Sequence, residues 1–200
     1  MYNLNKQDNS KNIKPNVIVH QVFHSFDPDK PNINDIPKFN YSVNKVKKYT
    51  KKFGIKYKLW NEKECKKLID TKFPEYSKLY KYFRYKIQKV DFIRYCILYQ
   101  YGGIYLDCDI HPIKNFNHLF KKDYFFIKNP IPPNKGVIYN AIMGSKPKNS
   151  LFLKIMKEVE KSTLEKQKKK IYKIWKGRLV FQTTGQYMLK RVLGELPSNR

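Results

Sequence analysis

The sequence predicts an α/β domain with a mainly parallel central sheet flanked by helices, and three observations carry that expectation. Short β-branched or aromatic runs recur along the chain, as at Val17-Ile18-Val19 and Ile104-Tyr105-Leu106. Between them lie segments of helical periodicity ten or more residues long, the spacing of crossover units rather than hairpins. At 200 residues, with 41% hydrophobic and 16% aromatic content, the chain can bury one substantial core despite 29% charge, and is short for two.

Residues 1 to 14 are polar, rich in Asn and Lys and without periodicity, and are expected to form a disordered tail, leaving 15–200 as one domain. Val17-Ile18-Val19-His20-Gln21-Val22-Phe23, bounded by Pro15 and Asp27-Pro28-Asp29, reads as the first buried strand. A helix is expected over about 40 to 52, followed through Gly54 by a strand at 55–60. Asn61 can cap a helix over 62–69, because Glu64 stands three residues on, in the capping-box position. From about 80 to 101 the apolar residues Ile87, Val90, Ile93, Ile97 and Leu98 form a helical stripe that ends at Gly102-Gly103. Strands are expected at 104–106, 124–127 and 137–143, the last two separated by a loop over 129–134. A lysine-rich amphipathic helix over about 151 to 170 completes the series.

The formal net charge of +26 raises the possibility of a nucleic-acid or anionic partner. The basic residues are almost all lysine, however, and are scattered from end to end, whereas specific nucleic-acid contacts favour the planar arginine fork. A solvated basic surface is the expectation, with no specific nucleic-acid partner. Cys65, Cys96 and Cys108 are odd in number and lack CxxC spacing, so neither a disulfide framework nor a zinc site is suggested. The amino terminus lacks a signal-peptide core and no apolar run reaches membrane-span length, so a soluble, cytoplasmic protein is expected.

The informative stretch runs from Lys89 through Asp91, Arg94, Gly102-Gly103 and Leu106 to Asp107-Cys108-Asp109. Two carboxylates at i and i+2 beyond the end of an apolar strand can converge on a hard divalent cation, which suits oxygen ligands and can bridge the phosphates of a nucleotide diphosphate. Open α/β sheets bind ligands at that edge. A lone D-x-D is commonly a solvated turn; its place after a helix, a Gly-Gly turn and a strand is what points to a site. Asp91 and Arg94, three apart, share a helix face. They form either an ordinary surface ion pair or a pair directed at a ligand.

This stretch resembles the signature of the DXD-containing sugar-binding glycosyltransferases, a family (glycosyltransferase family 32-like) that includes fungal initiation-specific α-1,6-mannosyltransferases, capsular polysaccharide transferases and, distantly, clostridial glucosylating toxins. Asp91, Arg94, Tyr95, Leu98, Gly102-Gly103, Tyr105, Asp107 and Asp109 all match. Thinner similarity follows in order at Val19-His20-Gln21, Tyr57-Lys58-Leu59-Trp60, Asn140-Ala141, Lys146-Pro147 and Thr183-Thr184-Gly185-Gln186, covering about 17 to 189. The resemblance implies a GT-A type nucleotide-diphospho-sugar transferase fold and a metal-dependent hexosyltransferase that retains anomeric configuration. Its implied partners are a UDP- or GDP-hexose donor and a glycan or protein hydroxyl acceptor, and its implied cofactor is Mn²⁺ or Mg²⁺. By the same resemblance Asp109 ligates the metal directly and Asp107 holds the donor and reaches the metal through water. Asp91 and Arg94 bind the donor sugar, and His20 and Gln21 lie close to the nucleotide. Trp60 is read instead as a core residue. Catalytic roles fall to Asp107, Asp109 and Arg94.

Two departures are visible. Gln186 stands where the family has proline, and the chain ends at Arg200 without the later His- or Trp-containing segment. Among the remaining histidines His111 follows Asp109 by only two residues, and Cys108 is expected to pack inward. Two other classes remain beside the transferase: a basic nucleic-acid-binding protein and a catalytically silent nucleotide-sugar binder. Donor binding with and without Mn²⁺ separates the three.

Overall fold

A computed structural model describes residues 17–128, 136–169 and 176–194. The expected tail over 1–14 and the expected loop over 129–134 lie outside the described residues. Five strands form one sheet in the order β2-β1-β3-β5-β4: β1 (Ile18–Val22), β2 (Lys56–Trp60), β3 (Gly103–Leu106), β4 (Tyr124–Lys128) and β5 (Ile138–Ser145). β1 pairs in parallel with β2 and β3, while β5 pairs antiparallel with both β3 and β4. Four of the five strands therefore run in one direction, yet the pairings divide evenly and the sheet is mixed.

The connections decide where a ligand can sit. α1 (Pro37–Lys52) links β1 to β2 and buries Val43, Val46 and Thr50 at helical spacing; Val46 joins Val19, Ile55, Ile104 and Leu106 in a small core on one sheet face. Proline at its first position has a preset φ and lacks only an N–H that would be unpaired there. α2 (Glu62–Lys72), α3 (Ser77–Tyr82) and α4 (Lys86–Tyr101) link β2 to β3 across the opposite face, where the main core gathers. The β1-to-β2 and β2-to-β3 crossovers thus lie on opposite faces of the sheet and the strand order reverses at β1, so the carboxyl ends of β1 and β3 form the kind of switch-point crevice in which open α/β sheets bind ligands. The expected capping box of α2 is present: Asn61 Oδ1 accepts from Glu64 N at 2.9 Å and Glu64 Oε2 accepts from Asn61 N at 3.0 Å.

The helix expected over 80–101 is two helices. Phe83 (ψ 125°) and Tyr85 (ψ 141°) are extended between them. The break turns the Phe83 ring into the core, with its centroid 5.6 Å from that of Phe92 and 6.2 Å from that of Tyr80. Nor is α4 a half-buried stripe, since every residue from Val90 to Leu98 is buried, Asp91 and Arg94 included. The sheet covers one side of α4, and α5 (Ser150–Lys166) and α6 (Lys176–Thr183) pack on others. α7 (Gln186–Leu193) packs on α5 and α6 and closes the chain's described part.

Gly102 (φ 66°) and Gly103 (φ 92°) end α4 in a backbone region that side chains disfavour. A Cβ on Gly103 would also lie 2.2 Å from the carbonyl oxygen of Ile18, so the close approach of β3 to β1 requires glycine. This tight turn delivers β3, and Asp107 beyond it, to the crevice.

Candidate active site at the carboxyl edge of the sheet

The segment after β3 is fastened by backbone and side-chain bonds before its carboxylates do anything. Asp107 N donates to Ala141 O at 2.9 Å and Ile110 N returns to Asp107 O at 3.0 Å, closing a turn. Gln21 Nε2 donates to the same Asp107 carbonyl at 3.1 Å, and its Oε1 accepts from Tyr57 Oη at 2.8 Å. Cys108 packs inward as expected, its thiol reaching Val22 O at 3.2 Å; burial pushes that thiol up to about 12, so it is no nucleophile. Cys108 is buried between a half-buried Asp107 and an exposed Asp109.

Asp107 is tied to the interior. Its Oδ1 lies 3.2 Å from Arg94 Nη1 and accepts from Tyr105 Oη at 2.7 Å. Arg94 also contacts Asp91 Oδ1 through Nη2 at 2.9 Å, and donates to Asn140 O at 2.9 Å and to Val90 O at 3.2 Å. Its guanidinium lies over the Tyr105 ring, 4.9 Å from the centroid. Asp91 is held in turn by Asn140 Nδ2 at 3.2 Å and Thr184 Oγ1 at 2.9 Å, while Tyr95 Oη donates to the Thr184 carbonyl at 2.7 Å. Burial pushes the Asp91 carboxyl up, and Arg94, Thr184 and Asn140 pull it back. The surface ion-pair reading of Asp91 and Arg94 is thereby excluded: the residues are 4% and 3% exposed. Asp91 has partners on both oxygens inside the protein and anchors Arg94.

His20 faces the interior. Its ring is fully buried, with Nε2 3.0 Å from Gly102 O and Nδ1 accepting from Trp60 Nε1 at 3.1 Å. Desolvation lowers its pKa to about 4 and keeps the imidazole neutral. Successive residues of a strand face opposite sides, which is why His20 reaches the α4 end while Gln21 reaches the Asp107 loop. Trp60 is core, as expected. His111 bonds through Nδ1 to Ser42 Oγ of α1 at 3.1 Å, joining that helix to the loop.

Asp109 is the exposed member of the constellation. Its Oδ2 lies 3.1 Å from Lys38 Nζ, contributed by the first turn of α1. Tyr139, at the start of β5, stands close enough for both aspartates to raise its phenol, although burial is the larger cause. Among the described residues no three His, Cys, Asp or Glu side chains converge, so the protein would supply two carboxylates to a cation. That donor set suits Mg²⁺ or Mn²⁺, whose other positions are filled by water and substrate phosphates.

Lys38, Asn140 and Thr184 complete the site; Asn140 and Thr184 stand in the thinner stretches of family similarity, and Lys38 had no signal in the sequence. Thr184 and Gly185 lie in the turn between α6 and α7, where Gln186 takes the first helical position. Proline is favoured there for its preset φ and is tolerated because that N–H is unpaired; neither is essential, and glutamine starts the helix here. No helix among the described residues is long and apolar enough to cross a membrane.

Comparison with known proteins bears directly on this geometry. Residues 10–126 match the family described as "Glycosyltransferase sugar-binding region containing DXD motif", a span that takes in β1, α4, β3 and both aspartates. A glycosyltransferase of Acanthamoeba polyphaga mimivirus, L373, is 30% identical over 146 residues, covering 72% of this chain and 55% of the relative. Mannosyl phosphorylinositol ceramide synthase CSH1 of Saccharomyces cerevisiae is 29% identical over 143 residues, 72% of this chain and 35% of its own length. The initiation-specific alpha-1,6-mannosyltransferase of Schizosaccharomyces pombe is 28% identical over 127 residues, 54% of this chain and 32% of the relative. The chain thus spans between about a third and about half of these relatives. Among solved structures, the PaToxG glycosyltransferase superposes with a TM-score of 0.55 at 15% identity, over 90% of this chain and 68% of the other, a likeness of fold. With more than half of its residues inside the matched region, the chain belongs to the glycosyltransferase family whose sugar-binding region contains the DXD motif.

Proposed function

We propose that the protein transfers a hexose from a UDP- or GDP-sugar to a glycan or protein hydroxyl, with retention of configuration, using Mn²⁺ or Mg²⁺ held at Asp107 and Asp109. The observation that carries this reading is the buried Arg94 fork, which joins Asp91 to Asp107 at the mouth of the crevice. A lone solvated turn has no need of such an anchor. The mannosyl names of the fungal relatives support testing GDP-mannose first.

Each residue then has a physical task. Arg94 and Tyr105 occupy one oxygen of Asp107, so that the other would serve the cation. Asp109 supplies a second, solvent-accessible carboxylate. A bound divalent cation would supply neutralisation of the charge that develops on the departing nucleoside diphosphate. Gln21, Cys108 and Ala141 hold the loop so that the two carboxylates keep their spacing. No enzyme nucleophile is assigned: Asp91 is enclosed and paired, and Asp107 and Asp109 are given to the cation. The acceptor hydroxyl passes its proton to the departing phosphate as it attacks from the same face.

The test is Asp109→Asn, which removes charge from an exposed side chain without removing volume. Release of nucleoside diphosphate from the donor should fall at least a hundredfold, on the order of one lost transition-state donor, while the thermal melt stays in place. Undiminished release would refute the assignment of the metal site.

A further inference from the structure

The two aspartates of the site are neutralised by different means. Asp107 is served from the interior by Arg94 and Tyr105. Asp109 is served from outside by Lys38, whose Nζ lies 3.1 Å from its Oδ2. We infer that Lys38 is the resident counter-cation of Asp109 and yields this carboxylate to the divalent cation, so that ammonium and metal ion compete for one oxygen. The inference rests on the metal-binding role proposed above for Asp109.

Placement and exposure support it. Lys38 is the second residue of α1, and Pro37 fixes where that helix begins. One turn on, Ser42 bonds to His111 at 3.1 Å, and the Tyr41 ring meets the His111 ring edge-on at 5.3 Å, which pins the helix start against the loop that carries Asp109. The lysine is thus held within reach of the carboxylate rather than meeting it by chance. Yet the lysine side chain is 71% and the aspartate side chain 39% exposed, and exposed pairs of this kind shift an equilibrium by about fivefold at most. A pair so weak is easily exchanged, as the enclosed Arg94–Asp91 pair is not. A displaced ammonium stays tethered within about a side-chain length of the cation, where like-charge repulsion in water still weakens metal binding roughly three- to tenfold.

The experiment is titration of Mn²⁺ alone into the protein, without nucleotide and near physiological ionic strength, followed by electron paramagnetic resonance of the free ion. Wild type is compared with Lys38→Met, Lys38→Arg and Asp109→Asn, each checked by thermal melt; the exposure of both side chains favours intact folding. Lys38→Met should bind Mn²⁺ about three- to tenfold more tightly than wild type. Lys38→Arg, which keeps the charge, should stay within about twofold of wild type, and Asp109→Asn should lose the site. If Lys38→Met binds no more tightly than wild type while Asp109→Asn abolishes binding, the competition is refuted and the metal site stands. If Asp109→Asn binds Mn²⁺ as wild type does, both readings fall.

Discussion

Asp107 and Asp109 are two residues apart and lie in opposite environments. The inner half of the constellation, Asp91, Arg94, Tyr105 and the Oδ1 edge of Asp107, is enclosed and joined by short contacts to α4, β5 and the α6–α7 turn. The outer half, Asp109 and Lys38, is exposed and held by a single ion pair. Burial strengthens the inner interactions and makes each depend on its neighbours, because a charge stripped of its partner there cannot be rescued by water. Exposure makes the outer pair weak and exchangeable. One motif therefore combines a fixed half that sets geometry with a labile half that can accept a ligand.

The largest expected effect comes from breaking the inner half. Arg94→Met should destabilise the fold by about 3–5 kcal/mol, since it leaves Asp91 enclosed without its counter-charge, and urea unfolding measures this directly. Arg94→Lys keeps the charge but cannot reach Asp91, Asp107 and the Asn140 carbonyl together, so donor turnover should collapse with a smaller loss of stability. A cost below about 1 kcal/mol for Arg94→Met would mean that the inner half behaves like a surface pair, and the contrast would be lost.

An intermediate effect is expected from His20, which ties β1 to the Gly102 turn. Its folded pKa of about 4 lies below the ordinary imidazole value of 6.5, so the unfolded chain takes up the proton first as pH falls. Stability is complete above the unfolded value and is lost as pH drops through the window from 6.5 toward 4; by linkage the loss is about 2 kcal/mol between pH 7 and pH 5. Burial also lowers the His24 pKa, a change of the same sign. Denaturant midpoints at the two pH values check this, and in His20→Gln the dependence should shrink. A pH-independent midpoint for wild type would contradict the buried, neutral imidazole. The smallest effect belongs to the outer half: Asp109→Asn should change stability by less than about 1 kcal/mol, even as it removes turnover.

The same contrast explains what the sequence could reveal. The Gly-Gly turn, the short strand and the spaced aspartates are local features, and local features are legible. The α2 capping box is another, and it forms as expected. Burial of Asp91 and Arg94 is not local: it depends on Asn140 from β5 and Thr184 from the α6–α7 turn, residues 49 and 93 positions from Asp91. Periodicity placed both charges on one helix face, but it could not say that other elements would cover that face. The enclosure of His20 is equally non-local, because its partners Gly102 and Trp60 are 82 and 40 residues away. Lys38 carried no signal at all among so many lysines. The division of α3 from α4 was hidden because Phe83 continues the apolar pattern while its backbone leaves the helix.

The central claim, that two carboxylates at this edge accept a diphosphate only with a cation between them, is tested most directly by calorimetry near physiological ionic strength. There the diffuse attraction of a +26 chain for any polyphosphate is screened beyond about 8 Å. GDP-mannose and UDP-glucose are titrated with Mn²⁺ and with EDTA, with ATP as a polyphosphate control. One nucleotide sugar should bind with Mn²⁺, EDTA should abolish this binding, and Asp109→Asn should do the same. Equal binding of all three compounds in EDTA would show that net charge alone is at work, and would contradict the claim.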